Sequence, residues 1–382
     1  MNTVERELKK NNINIICPID NNSVSIIADY VATVLSTKFP NLKINYNLIF
    51  NSVANLPMYI ADMPTNSTGA CYLYINSSLY FRKGLSFDDM KKLAVHECIH
   101  YFQEIKDSKG KLKRLGLCGY AGKRAYGNAL NEAAVQMMAS YANNDKPEKV
   151  TYYGIKFPSD SPNYYPIICN LMKQLGYLTG FPVLFESTFY SNELFFDKFK
   201  EAVGEKNAFK IQRNFEKIVI LESRVNQLSN IIRTEDLGHG KFKKVSNYMV
   251  KCKEEIKKVY FDTQNLIITS YFDGKIANIS TPQQIEEYRK YLYSFSNLIG
   301  TSDDYTFFND YYIQKMSEID AKYEMLHNEN KENVSLKVIN ESIFSKILRF
   351  FKNSIRGQYN VNANANANLN SSTNLNMNSK EK

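Results

Sequence analysis

The chain has 382 residues, 44% of them hydrophobic, with 48 lysines and arginines against 39 acidic residues and a net charge of +9. That length and apolar content allow a substantial core in one or two domains, and the charges are interspersed, with no basic cluster threaded by aromatics ahead of the last helical stretch to suggest nucleic acid. Six scattered cysteines without a C-x-x-C pair read as free thiols of a reducing compartment. No secretory leader and no bilayer-spanning apolar run is visible, so the expected location is the cytoplasm.

Val24 to Leu35 repeats apolar residues at helical spacing and gives way before Pro40, which predicts a first helix. LKINYNLIF, PMYIAD and CYLYINSSLYF follow, broken by Asn, Pro and the TNSTG turn at 65–69. They predict three or four strands. Ser86 stands where an N-cap belongs, with acidic residues in the next turn, so a helix should run to about Glu104. A basic, glycine-bearing loop, DSKGKLKRLGLCGYAGKRAYG, leads to a second apolar helix from near Asn128. Its GYAGKR lacks the Gly-Lys-[Ser/Thr] of a phosphate cradle.

After Ser159 strand-like runs give way to helical segments at 165–179, 192–203, 208–233, 244–270, 283–298 and 304–327. The two longest are joined by EDLGHGKF and should form an antiparallel hairpin. Near the end, SIFSKILRFFKNSIRG separates an apolar face from a basic one over 343–356. Such a helix either lies on an anionic membrane surface or docks on protein. The Asn-rich stretch after Gln358 has little to bury and should be disordered. The expected organisation is α+β: a mixed part over 1–160, a helical part over 161–340, the basic amphipathic helix over 341–357 and the tail over 358–382.

Chemistry concentrates in LAVHECIHYF, Leu93 to Phe102. On a helix, i and i+4 lie about 40° apart, so His96 and His100 can offer two nitrogens to one ion, while Glu97 sits roughly 100° away from His96. This is the H-E-x-x-H arrangement, in which neutral imidazoles hold zinc and the glutamate serves as general base to the water that attacks a peptide carbonyl. Two ordinary histidines on a buried helix are the competing explanation. With only 4 histidines in the chain and uncharged neighbours all round, the pairing is poorly explained by chance. A third ligand is best sought in GNALNEAAVQMMASYA, where Glu132 interrupts an apolar helix one position past a capping box. A first-turn glutamate favoured by the helix dipole is the alternative. Gln136, one turn on, could accept an imidazole N–H.

His96, Glu97 and His100, with Glu132 following Asn131 on a later helix, resemble the gluzincin metallopeptidases, the clan typified by thermolysin, over about residues 20–145. The resemblance implies a zincin-like catalytic part with one zinc per chain, ligands His96, His100 and Glu132, Glu97 as general base, and supporting roles for Asn131 and Gln136. It also implies a Tyr or His that stabilises the oxyanion, for which Tyr152, Tyr153 and His239 are the positional candidates. The third ligand follows His100 by 32 residues, more than in thermolysin, and Gln136 stands where thermolysin-like enzymes carry Asp. A peptide substrate needs an edge strand to pair with, and Cys71 to Phe81, just ahead of the site helix, is the candidate, with an ordinary central strand as the equal alternative. The expected function is a zinc-dependent metallopeptidase. The alternative is a non-catalytic binding or membrane-associated protein on the same fold, which would have no use for Glu97.

Overall fold

The computed structural model describes residues 3–64, 69–121 and 124–329; the expected amphipathic helix at 343–356 and the Asn-rich tail lie outside them. The described residues form an α+β fold of twelve α-helices and three small sheets. None of these helices is long and apolar enough to cross a membrane.

After a short helix, α1 (Thr3–Lys10), the first sheet takes β1 (Asn14–Pro18), β2 (Met58–Asp62), β3 (Ala70–Leu73) and β4 (Ser78–Arg82) in the order β1-β2-β4-β3. β2 and β4 run parallel and the other pairs antiparallel, which leaves β3 as an edge strand. β1 was not expected from the sequence. α2 (Asn21–Lys38) begins at Asp20, whose carboxylate accepts the Ser23 N–H at 3.0 Å and spares one of the orphan donors of a helix start.

LKINYNLIF is a correction. Its Ile and Tyr suggest a strand, but the segment folds as a 3-10 turn followed by α3 (Tyr46–Ala54). Asn45 caps that helix by accepting the Leu48 N–H, and Ile49 and Val53, four apart, bury together. Capping and helical burial outweigh β-propensity. Ile27, Val31 and Leu35 of α2, Val53 of α3, Leu79 and Phe81 of β4 and Ala94, Val95, Cys98 and Ile99 of α4 (Phe87–Phe102) share one core with Val135 and Met138 of α5 (Asn128–Ala142).

The basic segment read as a loop forms a second sheet, the antiparallel meander β5 (Glu104–Lys106), β6 (Leu112–Leu115), β7 (Cys118–Ala121) and β8 (Arg124–Tyr126). It bridges α4 to α5. A hairpin of β9 (Glu148–Tyr152) and β10 (Ile155–Ser159) follows, turning through Tyr153 and Gly154 at positive φ.

The remaining helices are α6 (Pro166–Thr179), α7 (Phe181–Tyr190), α8 (Leu194–Val203), α9 (Glu205–Thr234), α10 (His239–Ala277), α11 (Pro282–Ser296) and α12 (Phe307–Glu329). α7 is additional to the sequence expectation. α9 and α10 form the expected antiparallel hairpin, joined by the Lys217–Glu255 ion pair and by Asn214 donating to Thr263 Oγ1 at 2.9 Å. Residues 1–279 and 286–309 make one compact unit, so helices on both sides of residue 160 share it with the sheets. Among the described residues the second unit takes 280–285 and 310–329; within it Gln284 Oε1 accepts the Ser280 N–H at 2.8 Å.

Candidate metal centre

α4 starts where Ser86 Oγ accepts the Asp89 N–H at 3.1 Å, with Asp88 and Asp89 in the turn where the helix dipole favours anions. Its last two turns are buried, and they carry His96, Glu97 and His100. α5 supplies Glu132. The cap residue of α5 is Gly127 rather than Asn128, which moves Glu132 one position deeper than a cap at Asn128 implies. No side chain of its own caps α5. Instead the Glu216 carboxylate of α9 accepts the Ala129 N–H at 3.0 Å.

The three groups converge. His96 Nε2 and His100 Nε2 lie 3.1 Å apart, and the Glu132 carboxylate straddles them, Oε2 at 3.7 Å from His96 and Oε1 at 3.5 Å from His100. Four ligands held at about 2.0–2.1 Å around a tetrahedral zinc stand roughly 3.3 Å from one another, so the observed separations suit that ion. His₂Glu is also a donor set that leaves a fourth position open. Two imidazoles and a carboxylate are thus already gathered on one point.

Burial opposes charge on His100, but the Glu132 carboxylate, then Glu97 and Gln103, override it and raise the imidazole to about 9. For Glu132 burial likewise opposes the charged form, and His100 followed by His96 holds the carboxyl well below the usual range. Without metal, the pair is an imidazolium and a carboxylate at neutral pH.

The groups that aim His100 come from four elements. Gln103, fully buried at the α4 C-terminus, places Oε1 3.2 Å from His100 Nδ1 and accepts the Asn131 amide at 3.1 Å. Its Nε2 donates to Thr188 O at 2.7 Å and Asn131 Oδ1 at 3.2 Å. An amide oxygen only accepts, so Nδ1 carries the proton and Nε2 is left to face the metal position. Asn131 also accepts the Leu117 N–H, and Ser191 Oγ donates to Gln103 O while accepting the Gly116 N–H. Gly116 sits at φ +57, and a Cβ there would collide with both Asn131 and Gln103. Asn131 therefore supports His100 through Gln103, a residue the sequence reading passed over. Gln136 donates to Ser140 Oγ and reaches no imidazole, and His96 Nδ1 is buried without a hydrogen bond.

Glu97 faces the edge strand. The Tyr72 N–H of β3 points away from β4 and donates to Glu97 Oε2 at 2.7 Å. Glu97, His96, His100 and Glu132 line a cavity of about 210 Å³ with Tyr72 and Tyr165. Cys71 faces the same space as a neutral thiol, pushed up to about 12 by burial and then by Glu97 and Glu132. Tyr165 is held at φ 50 just ahead of Pro166, in the left-handed region that costs a bulky residue energy. Burial, followed by the charges of Glu132 and Glu97, raises its phenol, which stays a proton donor across the physiological range. Tyr165 is thus a protonated phenol lining the cavity, which Tyr72 and Tyr74 also line. The three positional candidates lie elsewhere: Tyr152 donates to Pro162 O at 2.7 Å, Tyr153 turns the β9–β10 hairpin, and His239 is exposed at the start of α10. None of them lines the cavity. A larger apolar cavity of about 750 Å³, walled by Phe39, Tyr141, Phe181 and Phe185, contains none of the metal-site residues.

In comparisons with known proteins, no protein-family model, no curated protein and no solved structure matches this chain.

Proposed function

We infer that the chain is a zinc-dependent metallopeptidase of gluzincin type. The observation that carries this reading is the convergence of His96, His100 and Glu132 on one point with Glu97 beside them, its carboxylate held by the N–H of an edge strand. His96, His100 and Glu132 would hold zinc, which supplies Lewis acidity toward a carbonyl and lowers the pKa of a water. Glu97 takes the proton of the attacking water and passes it to the departing amine, as general base and then general acid. An extended peptide would join the outer edge of β3 by strand addition, taking the Tyr72 N–H from Glu97 and setting the scissile carbonyl beside the freed carboxylate. Tyr165 donates its phenolic hydrogen toward the negative charge that develops on that carbonyl oxygen. Gln103 and Asn131 keep the His100 ring from rotating.

Glu97→Gln tests this. The amide keeps shape and hydrogen-bonding capacity but cannot take the proton, so zinc content measured by metal analysis should match the parent while hydrolysis of a peptide library drops by about 10²–10⁴-fold. Undiminished hydrolysis by the variant would rule out Glu97 as base, and no hydrolysis by the zinc-loaded parent would rule out a peptidase.

A further inference from the structure

The segment between α4 and α5 carries a charge out of proportion to its length. Residues 103–127 hold seven basic and two acidic side chains, +5 of the chain's +9, and residues 330–382 hold another +5. Everything else sums to −1. The segment is the β5–β8 meander, one wall of the cleft that holds the metal-site residues.

Three contacts fix that placement. Leu115, at the end of β6, lines the cavity with Glu97 and Glu132. The Tyr72 hydroxyl of the edge strand donates to Glu104 of β5 at 2.8 Å. On β7, the Tyr120 phenol is raised by burial and then by Cys118, Tyr74 and Glu132, which puts β7 within electrostatic reach of the third ligand.

The lysines are arrayed on a braced hairpin. Asp107 Oδ1 accepts the N–H groups of Lys109 and Lys111, each at 2.9 Å, and the Asp107 N–H donates to Lys111 O at 2.8 Å, so the turn is tied at its base. Arg114 points inward to Glu193 and to Gly116 O, anchoring β6 against the start of α8. Lys106 pairs with Glu104. Lys109, Lys111 and Lys113 are exposed and form no ion pair among the described residues, and Lys113 is the extra residue at the β5–β6 register shift. Three exposed lysines on a hairpin whose base reaches the cavity, with the Asp107 carboxylate within electrostatic reach of Lys111 and Lys113, concentrate positive charge on this segment.

We propose that the β5–β6 hairpin is a cationic surface that recognises an acidic stretch of the peptide held in the cleft, flanking the bond to be cut. That the bound peptide is also cut rests on the peptidase reading; its binding to the hairpin does not. From Leu115, which lines the cavity, Lys113 is two residues away, Lys111 four and Lys109 at the turn beyond, at roughly 3.3 Å each, so the acidic side chains belong roughly two to six residues from the reacting bond.

The test uses the full chain and two peptides of one central sequence, flanked on one side by three glutamates or by three glutamines. Binding is read by fluorescence anisotropy on the Glu97→Gln chain, and cleavage on the zinc-loaded parent. The glutamate peptide should bind about 10-fold more tightly at low salt, and the preference should fade at high salt. Lys109→Gln with Lys111→Gln and Lys113→Gln should bring the glutamate peptide to the level of the glutamine peptide and leave the latter unchanged. Equal binding of the two peptides by the parent hairpin, or a preference that survives the triple substitution, overturns the proposal. So does a single-stranded oligonucleotide or an anionic vesicle that displaces the acidic peptide through the same three lysines. If the preference holds and neither peptide is cut, the peptidase reading fails and the acidic-peptide surface stands.

Discussion

Gln103→Met replaces the amide that aims His100 with an apolar side chain of similar length, so it removes hydrogen bonds while leaving little new cavity. Three buried groups lose their partner: His100 Nδ1–H, one Asn131 amide hydrogen, and the Thr188 carbonyl, which lies in the last turn of α7 where backbone acceptors have no helical donor. At about 1–3 kcal/mol each, with some relaxation, the cost is roughly 3–6 kcal/mol of stability. The freed His100 ring should weaken zinc binding by about 10–100-fold. Competition with a chromophoric chelator reads the affinity, and denaturant melts of zinc-free and zinc-loaded protein read the stability. Gln103→Glu restores the acceptor for Nδ1 but not the donor for Thr188, so it should recover affinity more than stability. Zinc affinity within twofold of the parent in Gln103→Met would refute the assignment of Gln103 as the group that orients His100.

Glu132→Ala should strip the site of most of its zinc, because two imidazoles alone hold the ion weakly; full zinc occupancy would place the third ligand elsewhere. Tyr165→Phe should lower kcat by about 10²-fold with zinc content and KM little changed, since the hydroxyl is used only as charge develops on the carbonyl oxygen; steady-state kinetics on one peptide settle it. The metal-free protein should respond to pH through the His100–Glu132 pair. His100 is raised from 6.5 to about 9, so its contribution is full below 6.5 and lost as pH rises through 9; Glu132 is depressed from 4.5, so its contribution is full above 4.5 and lost in acid. Metal-free stability from this pair should therefore peak between pH 4.5 and 6.5. Zinc displaces the His100 proton, so zinc affinity should instead climb with pH up to about 9, as calorimetric titrations at several pH values would record.

The parts of the site that one element determines could be read in the sequence. Helical geometry alone brings His96 and His100 together, and Ser86 announces the start of their helix. Glu132 stood out because a carboxylate in an apolar run needs a partner. Gln103, Thr188, Ser191 and Tyr165 could not be found that way, since the contacts that matter join residues up to 88 positions apart. The β5–β8 strands are three or four residues long, too short to carry an alternation that can be detected. α7 was hidden by its own start signal: Gly180, Phe181 and Pro182 look like a break, yet proline in the first turn is where a helix tolerates it. In 42–50 the β-formers Ile and Tyr masked the cap at Asn45.

The carboxylate of Glu216 at the start of α5, and the ties from Thr188 and Ser191 to Gln103, bear on how the molecule can be taken apart. All three partners lie after residue 160, while His96, His100 and Glu132, the proposed zinc ligands, lie before it. A fragment ending near Ser159 would keep the ligands and lose the groups that aim them, with the α5 N-terminus and a buried amide left facing solvent or nothing. Such a piece should not retain the proposed activity, and a nick near residue 160 should abolish it while leaving His96, Glu97, His100 and Glu132 in place. The same wiring means that the site has no stability of its own. If the site holds zinc as proposed, metal retention should therefore report on the integrity of the whole unit.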